Sequence, residues 1–72
     1  MTTIDARGLS CPEPVLRARR AIQAVAAGAE TEVLVDTVTA RENVLRMARA
    51  TGCEARAEAT PDGGFRVVIR KS

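Results

Sequence analysis

The chain has 72 residues, of which 46% are hydrophobic and 28% are charged, and its formal net charge is +2. A chain of this size forms one domain with a modest core, so any chemistry must occur at an exposed site or be completed by a partner. The small net charge does not indicate nucleic-acid binding, and no apolar run approaches the roughly 20 residues that cross a membrane. The first residues also lack the pattern of a signal peptide, and we expect a cytoplasmic protein.

The chain contains two cysteines, Cys11 and Cys53, and no histidine. A reducing compartment keeps both cysteines as thiols. Without histidine, neither a Cys–His nucleophilic pair nor the usual four-ligand structural zinc site can form, and we predict no metal site. Activation of a cysteine must therefore come from backbone amides, a helix dipole or nearby arginines.

The hydrophobic pattern predicts six elements in the order strand, helix, strand, helix, strand, strand. Two-residue alternation indicates strands and helical spacing indicates helices, over residues 2–7, 12–28, 32–36, 39–52, 53–60 and 65–71. Thr39 and Glu42 form a capping-box pattern for the second helix. Because each strand has one apolar face, we predict a βαβαββ two-layer α+β sandwich, with a four-stranded mixed sheet and both helices on one face. Residues 1–72 form a single domain in this interpretation.

The most informative segment is 8–14, which reads GLSCPEP between the first strand and the first helix. If Ser10 capped this helix, Pro14 would occupy the fourth helical position, where its missing N–H removes a helical hydrogen bond. If Cys11 is the cap, Pro12 occupies the favoured first position and Pro14 the third, where no bond is lost. We therefore predict that Cys11 is the N-cap residue.

A cysteine at a helix start has distinctive chemistry, because the positive end of the dipole stabilises a thiolate. Cysteine pKa values fall from about 8.5 to roughly 3.5–7.5 at such positions or beside cations. The negative charge of Glu13 opposes this effect on Cys11. The alternative is that Cys11 is a small buried residue at the junction, as free cysteines often are.

The CPxP motif, preceded by DARGL, resembles the TusA/SirA-like sulfur-carrier family over nearly the whole chain. The resemblance implies that Cys11 is the catalytic residue and carries sulfur as a persulfide. It implies no cofactor on this chain, since PLP belongs only to the presumed donor. It also implies a cysteine desulfurase or rhodanese-type sulfur donor and a downstream acceptor protein. The oligomeric state stays open, and the polar outward positions of the strands favour a monomer that forms transient complexes.

The pathway branch is a separate matter. The family serves tRNA thiolation, sulfur oxidation, molybdenum-cofactor synthesis or selenium metabolism. The second half of this chain, with Val35-Asp36-Thr37 and the ENV segment at 42–44, resembles the YedF-like branch. That branch usually has asparagine where this chain has Thr37, so the branch stays open between these pathways, and with it the choice of sulfur or selenium.

Two groups of residues surround the predicted site. We expect the first group to shape it: Gly8, Leu9, Pro12, Glu13 and Pro14. The second group lies on the first helix and is predicted to bind an acidic-rimmed partner, with a solvated charged face as the alternative: Leu16, Arg17, Arg19 and Arg20. Asp5 and Asp36 end strands and are expected to accept hydrogen bonds from turn amides, with a direct role in the site as the alternative. Cys53 is expected to pack in the core, with a resolving thiol as the alternative.

Two other functions compete with the sulfur carrier. The first is a non-catalytic RNA- or protein-binding regulatory module. One phenylalanine and no tyrosine or tryptophan provide few stacking platforms, and we expect no direct nucleic-acid contact. The second is a thiol redox partner, in which only Cys53 could resolve a disulfide with Cys11.

Overall fold

The described part of the chain, residues 2–9 and 12–71 of a computed structural model, contains six elements. They are β1 (Thr2–Asp5), α1 (Glu13–Ala24), β2 (Glu30–Val35), α2 (Val38–Ala50), β3 (Glu54–Ala59) and β4 (Phe65–Arg70). The strands form one sheet in the order β1-β2-β4-β3, in which β1 and β2 are parallel and β4 is antiparallel to both neighbours. The predicted element order and the α+β two-layer class are confirmed.

The core lies between the sheet and the two helices. The inward positions of the central strands β2 and β4 are almost inaccessible, as their two-residue alternation requires: Thr31, Val33, Val35, Val67 and Ile69. The helices cover them mainly with small and branched side chains: Ala18, Ile22, Val44, Leu45 and Ala48. Ala18 of α1 and Ala48 of α2 are completely buried on these two helix faces.

Both helices begin at the same edge of the sheet. The strands β1 and β2 are parallel, and each is followed by a helix that returns across the sheet, so the N-termini of α1 and α2 both lie at the carboxyl edge of these strands. The β3–β4 turn lies at this edge too, because Phe65 pairs with Val35 on one side and Ala59 on the other. This edge therefore gathers the loop after β1, the start of α2 and the β3–β4 turn.

The start of α1 differs from the prediction by one residue. Its N-cap is Pro12, whose carbonyl accepts the Leu16 N–H at 3.1 Å, so the prediction of Cys11 as the cap was wrong. The proline pair fits either register, because Pro14 then occupies the second helical position, where no N–H is needed. Cys11 precedes the cap by one residue in sequence and lies outside the described residues.

The far end of α1 also differs from the prediction, which extended the helix to Gly28. The helix ends at Ala24. The Lys71 ammonium donates to the Val25 carbonyl at 2.8 Å, and the Gly28 N–H donates to the Lys71 carbonyl at 2.7 Å. These bonds join the helix end to the end of β4, a contact between distant residues that helical periodicity cannot reveal.

The predicted cap of α2 was wrong, and the helix ends at Ala50, two residues before the predicted Gly52, which serves as the glycine stop after the C-cap Thr51. The cap is Thr37, whose hydroxyl accepts from the Ala40 N–H at 3.0 Å, so the Thr39 capping box does not form. At the other end, Gly52 adopts φ +81°, and the Cys53 N–H donates to the Ala48 carbonyl at 2.9 Å, as in a Schellman motif. Neither α2 nor any other described helix has the length and apolarity needed to cross a membrane.

Candidate functional site

The loop between β1 and α1 is held by three consecutive backbone amides. The Ala6 N–H donates to the Leu34 carbonyl at 2.8 Å, extending the pairing of β1 with β2. The Arg7 N–H donates to Asp5 Oδ1 at 3.1 Å, and the Gly8 N–H donates to Asp36 Oδ2 at 2.9 Å. The prediction that the two strand-ending aspartates accept from turn amides is confirmed. Gly8 has φ +77°, a left-handed conformation that favours glycine.

The side chain of Arg7 joins this loop to the β3–β4 turn. Its guanidinium contacts Asp5 Oδ1 at 3.0 Å and Asp62 Oδ2 at 3.1 Å, and Asp62 also accepts from the Thr60 hydroxyl. The hydrogen bonds from Arg7 lower the pKa of Asp5 from 3.8 to about 2. The Thr60 hydroxyl is the main cause of the lowered pKa of Asp62, and Asp5 raises the pKa of Arg7. Since these groups are exposed, the bridge orients the loop more than it stabilises the fold.

This bridge predicts a pH dependence that Asp5→Asn removes. The folded-state pKa of Asp5 is about 2, below the 3.8 of the free group, so its contribution to stability is present above about pH 4 and is lost as the pH falls toward 2. Urea unfolding of the wild type and Asp5→Asn should therefore differ at pH 6 and converge near pH 2. Glu54→Gln, which removes an exposed carboxylate on β3, is the charge-matched control. A difference that persists unchanged at pH 2 would contradict the assignment.

A groove of about 260 Å³ opens beside this loop, between the starts of the two helices. Its walls carry apolar and neutral polar side chains, and no charged residue is among its described lining: Leu9, Pro14, Val15, Thr37, Thr39, Ala40 and Asn43. Leu9 closely precedes residues 10–11 in sequence, and Pro14 closely follows them. A molecule that reaches the motif can therefore rest against an apolar surface next to it.

The two helix starts at this edge favour an anion, whereas the nearby carboxylates Asp5, Asp36 and Asp62 oppose one. The N-termini of α1 and α2 both lie here, and the N–H groups of a first helical turn carry partial positive charge. Glu13 is the carboxylate in the first turn of α1, and Arg17 Nε lies 3.8 Å from Glu13 Oε2. The arginine offsets the negative charge that opposes a thiolate at the helix start.

The predicted site-shaping residues lie together around the start of α1. Pro14 is buried, Leu9 is half-buried, and the other three are exposed: Gly8, Pro12 and Glu13. The described structure thus brings this group together, whereas Cys11 lies outside the described residues. The loop is also held by Asp36, which accepts from Gly8, and by Asp62, which pairs with Arg7. The pairing of Arg7 with Asp62 could not be predicted from a local sequence pattern, because the two residues lie 55 positions apart.

The predicted partner-binding residues form an exposed face of α1. Leu16 has 37% of its surface exposed, which confirms its predicted exposure. Arg17, Arg19 and Arg20 are exposed, and in the described part of the chain neither Arg19 nor Arg20 forms an ion pair. Sequence reasoning missed Val38, which begins α2 and is 53% exposed. The sequence pattern that could have predicted its exposure is an apolar residue between two threonines at a helix start.

The second cysteine lies at the opposite edge of the sheet. Cys53 is 8% exposed, belongs to the core, and accepts a weak hydrogen bond from the Thr51 hydroxyl at 3.6 Å. It immediately precedes Glu54, which pairs with Arg70, whereas the loop after β1 lies at the other end of these strands. Strands of six residues span roughly 17–20 Å. The predicted core packing of Cys53 is confirmed, and its position disfavours a resolving role.

Comparison with known proteins agrees with the fold and the motif. The family described as Sulfurtransferase TusA matches residues 2–71. A SirA-like protein from Desulfitobacterium hafniense has a crystal structure that superimposes with a TM-score of 0.90 at 38% identity, covering 97% of this chain and 96% of that one.

Two sequence relatives are similar over almost their full length. A provisionally named sulfur carrier protein from Methanocaldococcus jannaschii is 35% identical over 71 residues, covering 99% of this chain and 95% of its own. The sulfur carrier protein TusA from Allochromatium vinosum is 32% identical over 69 residues, covering 96% and 91%. The two-layer sandwich with its cysteine motif before α1 defines a small sulfur-carrier domain. The chain belongs to the TusA family, and its role is that of a sulfur carrier or sulfurtransferase.

Proposed function

We propose that Cys11 carries the sulfur as a persulfide, receives it from a donor protein and passes it to an acceptor protein. Sulfur carriers of this family interact with such donors and acceptors. The observation that supports Cys11 is the anchoring of the loop that leads to it at the edge where two helices begin. The other cysteine, Cys53, is buried at the opposite edge.

The proposed transfer is an exchange of one S–S bond for another. The Cys11 thiolate attacks the terminal sulfur of a donor persulfide, a bond forms between these two sulfur atoms, and the donor S–S bond breaks. The donor cysteine leaves as a thiolate, and the proton released by Cys11 passes to solvent. No net oxidation occurs, so this chain needs no cofactor of its own, and PLP serves only a desulfurase donor. The positive ends of α1 and α2 favour both the thiolate and the persulfide anion.

The charges on the exposed face of α1, which follows the motif, favour an acidic partner. The helix α1 carries three arginines against one glutamate. Leu16 provides an exposed apolar contact on this face, and Arg17, Arg19 and Arg20 surround it. Complementary charge at such a rim mainly accelerates and orients association. We assign this face and the adjoining groove to the donor.

Charge reversal at Arg17 and Arg20 tests this assignment. The double variant Arg17→Glu/Arg20→Glu should raise the desulfurase concentration that gives half-maximal loading by about tenfold, because like charges then repel an acidic partner. Loading by inorganic polysulfide should fall much less, since polysulfide needs no docking and senses only the loss of the Arg17 charge beside Glu13. The control Arg46→Glu/Arg49→Glu makes the same charge change on α2 outside the groove. Equal effects of the two double variants would contradict a specific docking face.

The proposal further places the protein in the cytoplasm as a monomer that forms transient complexes without direct nucleic-acid contact. The pathway is tRNA thiolation, sulfur oxidation, or cofactor or selenium metabolism. Incubation with a cysteine desulfurase, PLP and cysteine, followed by intact-protein mass spectrometry, tests the carrier role. A gain of about 32 Da per sulfur atom is expected. No gain with several desulfurases and with polysulfide would overturn it.

A further inference from the structure

We propose that Asp36 is a positioning residue for sulfur transfer, because its carboxylate holds the loop that leads into Cys11. The inference rests on the proposed role of Cys11 as the carrier. Asp36 directly follows β2, and its Oδ2 accepts the Gly8 N–H at 2.9 Å across 28 residues of sequence. Gly8 is three residues before Cys11 in sequence, and a chain segment of that length spans at most roughly 11 Å.

Three acceptors bind the three consecutive loop amides, and among them Asp36 is the one that lies on a distant segment and accepts through its side chain. Of the three consecutive amides, that of Ala6 continues the strand pairing and that of Arg7 bonds to the neighbouring Asp5. The bond to Asp36 is made by the amide of Gly8, which adopts a left-handed conformation two residues before residue 10. Without it, the chain beyond Arg7 would lose its fixed connection to β2.

The backbone of Asp36 is itself held in place. A Cβ at Gly64 would lie 2.7 Å from the Val35 carbonyl oxygen and 3.7 Å from Asp36 Cα, so the start of β4 packs directly against this segment. The Gly64 N–H is bound by the Thr60 hydroxyl at 3.1 Å, which fixes the turn. Asp36 can therefore act as a rigid support for the loop.

The carboxylate has a second, opposite effect on Cys11. A negative charge close to a thiol disfavours the thiolate and raises the thiol pKa. Among the described residues, the charged groups at this edge include Asp5 at the end of β1, Arg7 of the loop, Asp62 of the turn, Glu13 paired with Arg17 on α1, and Arg41 paired with Glu42 on α2. Asp36 thus favours transfer by holding the loop, whereas its negative charge disfavours the Cys11 thiolate. Substitutions that remove the charge with or without the hydrogen-bond acceptor can separate the two effects.

The test compares Asp36→Asn with Asp36→Ala. Asparagine keeps an oxygen that can accept from Gly8 but removes the charge, whereas alanine removes both. With a cysteine desulfurase as donor, Asp36→Ala should lower the saturating rate of loading by about tenfold or more without raising the half-saturating donor concentration, because misplaced reacting groups slow the chemical step. Asp36→Asn should stay within about twofold of the wild type. Glu54→Ala, which removes an exposed carboxylate at the opposite edge of the sheet, is the control and should match the wild type.

Two further measurements separate positioning from general stability. The Gly8 amide should lose hydrogen-exchange protection in Asp36→Ala and keep it in Asp36→Asn. The pH profile of Cys11 alkylation by iodoacetamide should shift to lower pH in both variants, because both remove the charge. The proposal is overturned if Asp36→Ala loads at the wild-type rate, or if Asp36→Asn is as slow as Asp36→Ala. If wild-type Cys11 accepts sulfur from neither desulfurase nor polysulfide, the proposed carrier function fails instead.

Discussion

Replacement of Cys11 by serine is expected to reduce sulfur loading to background. The thiolate is the nucleophile in the proposed exchange, and a serine hydroxyl at a helix start remains protonated at neutral pH and cannot hold a persulfide. Loading from a cysteine desulfurase should therefore fall by at least about 100-fold, at every donor concentration. The measurement is the rate at which labelled sulfur from cysteine becomes bound to the protein, with far-UV circular dichroism to verify the fold.

The matched control for this prediction is Cys53→Ser. Cys53 is 8% exposed and lies at the opposite edge of the sheet, so its loss should leave the loading rate within about twofold of the wild type. Both variants replace one sulfur atom by oxygen, so they differ only in the position of the replaced cysteine. Full loading of Cys11→Ser, or loss of loading in a folded Cys53→Ser protein, would contradict the assignment of roles to the two cysteines.

Truncation of Ile69 is expected to have the largest effect on stability. Ile69 is 1% exposed, lies in the central strand β4, and is among the largest fully buried side chains. Ile69→Ala should cost about 2–5 kcal/mol, because the alanine-rich helix faces above it cannot fill the cavity. Domains have only about 5–15 kcal/mol of stability in total, so much of it would be lost. Urea unfolding at neutral pH measures the change.

The control for this prediction is Leu16→Ala, an aliphatic truncation on the exposed face of α1. Leu16 is 37% exposed, so its removal should change the unfolding free energy by only about 0.5 kcal/mol. The same variant should slow loading by a protein donor, because Leu16 belongs to the proposed docking face. Equal destabilisation by Ile69→Ala and Leu16→Ala would show that the described core does not determine stability.

The fold followed from the sequence because its periodicities are clear. The alternation of Val33 and Val35, or of Val67 and Ile69, corresponds to one buried face of each strand. The helix ends were less predictable. Thr37 and Thr39 can both cap a helix, and the end of β2 at Val35 decides between them by setting where the chain turns.

The site was predictable only where it is local in sequence. The residues around the motif are adjacent along the chain, so their grouping followed from the GLSCPEP segment. The bond between Gly8 and Asp36 depends on the register of β1 against β2, and the bridge from Arg7 to Asp62 depends on the β3–β4 turn reaching the same edge. Neither the sheet order nor the register can be derived from local pattern, so these anchors required the structure.

The most direct test of the account is to locate the sulfur on the loaded protein. Wild-type protein incubated with a cysteine desulfurase, PLP and cysteine is digested with trypsin, which separates Cys11 in peptide 8–17 from Cys53 in peptide 50–56. Tandem mass spectrometry is expected to find the additional mass of about 32 Da, reversible by reductant, on peptide 8–17. Sulfur on peptide 50–56 alone would contradict the claim that Cys11 is the carrier.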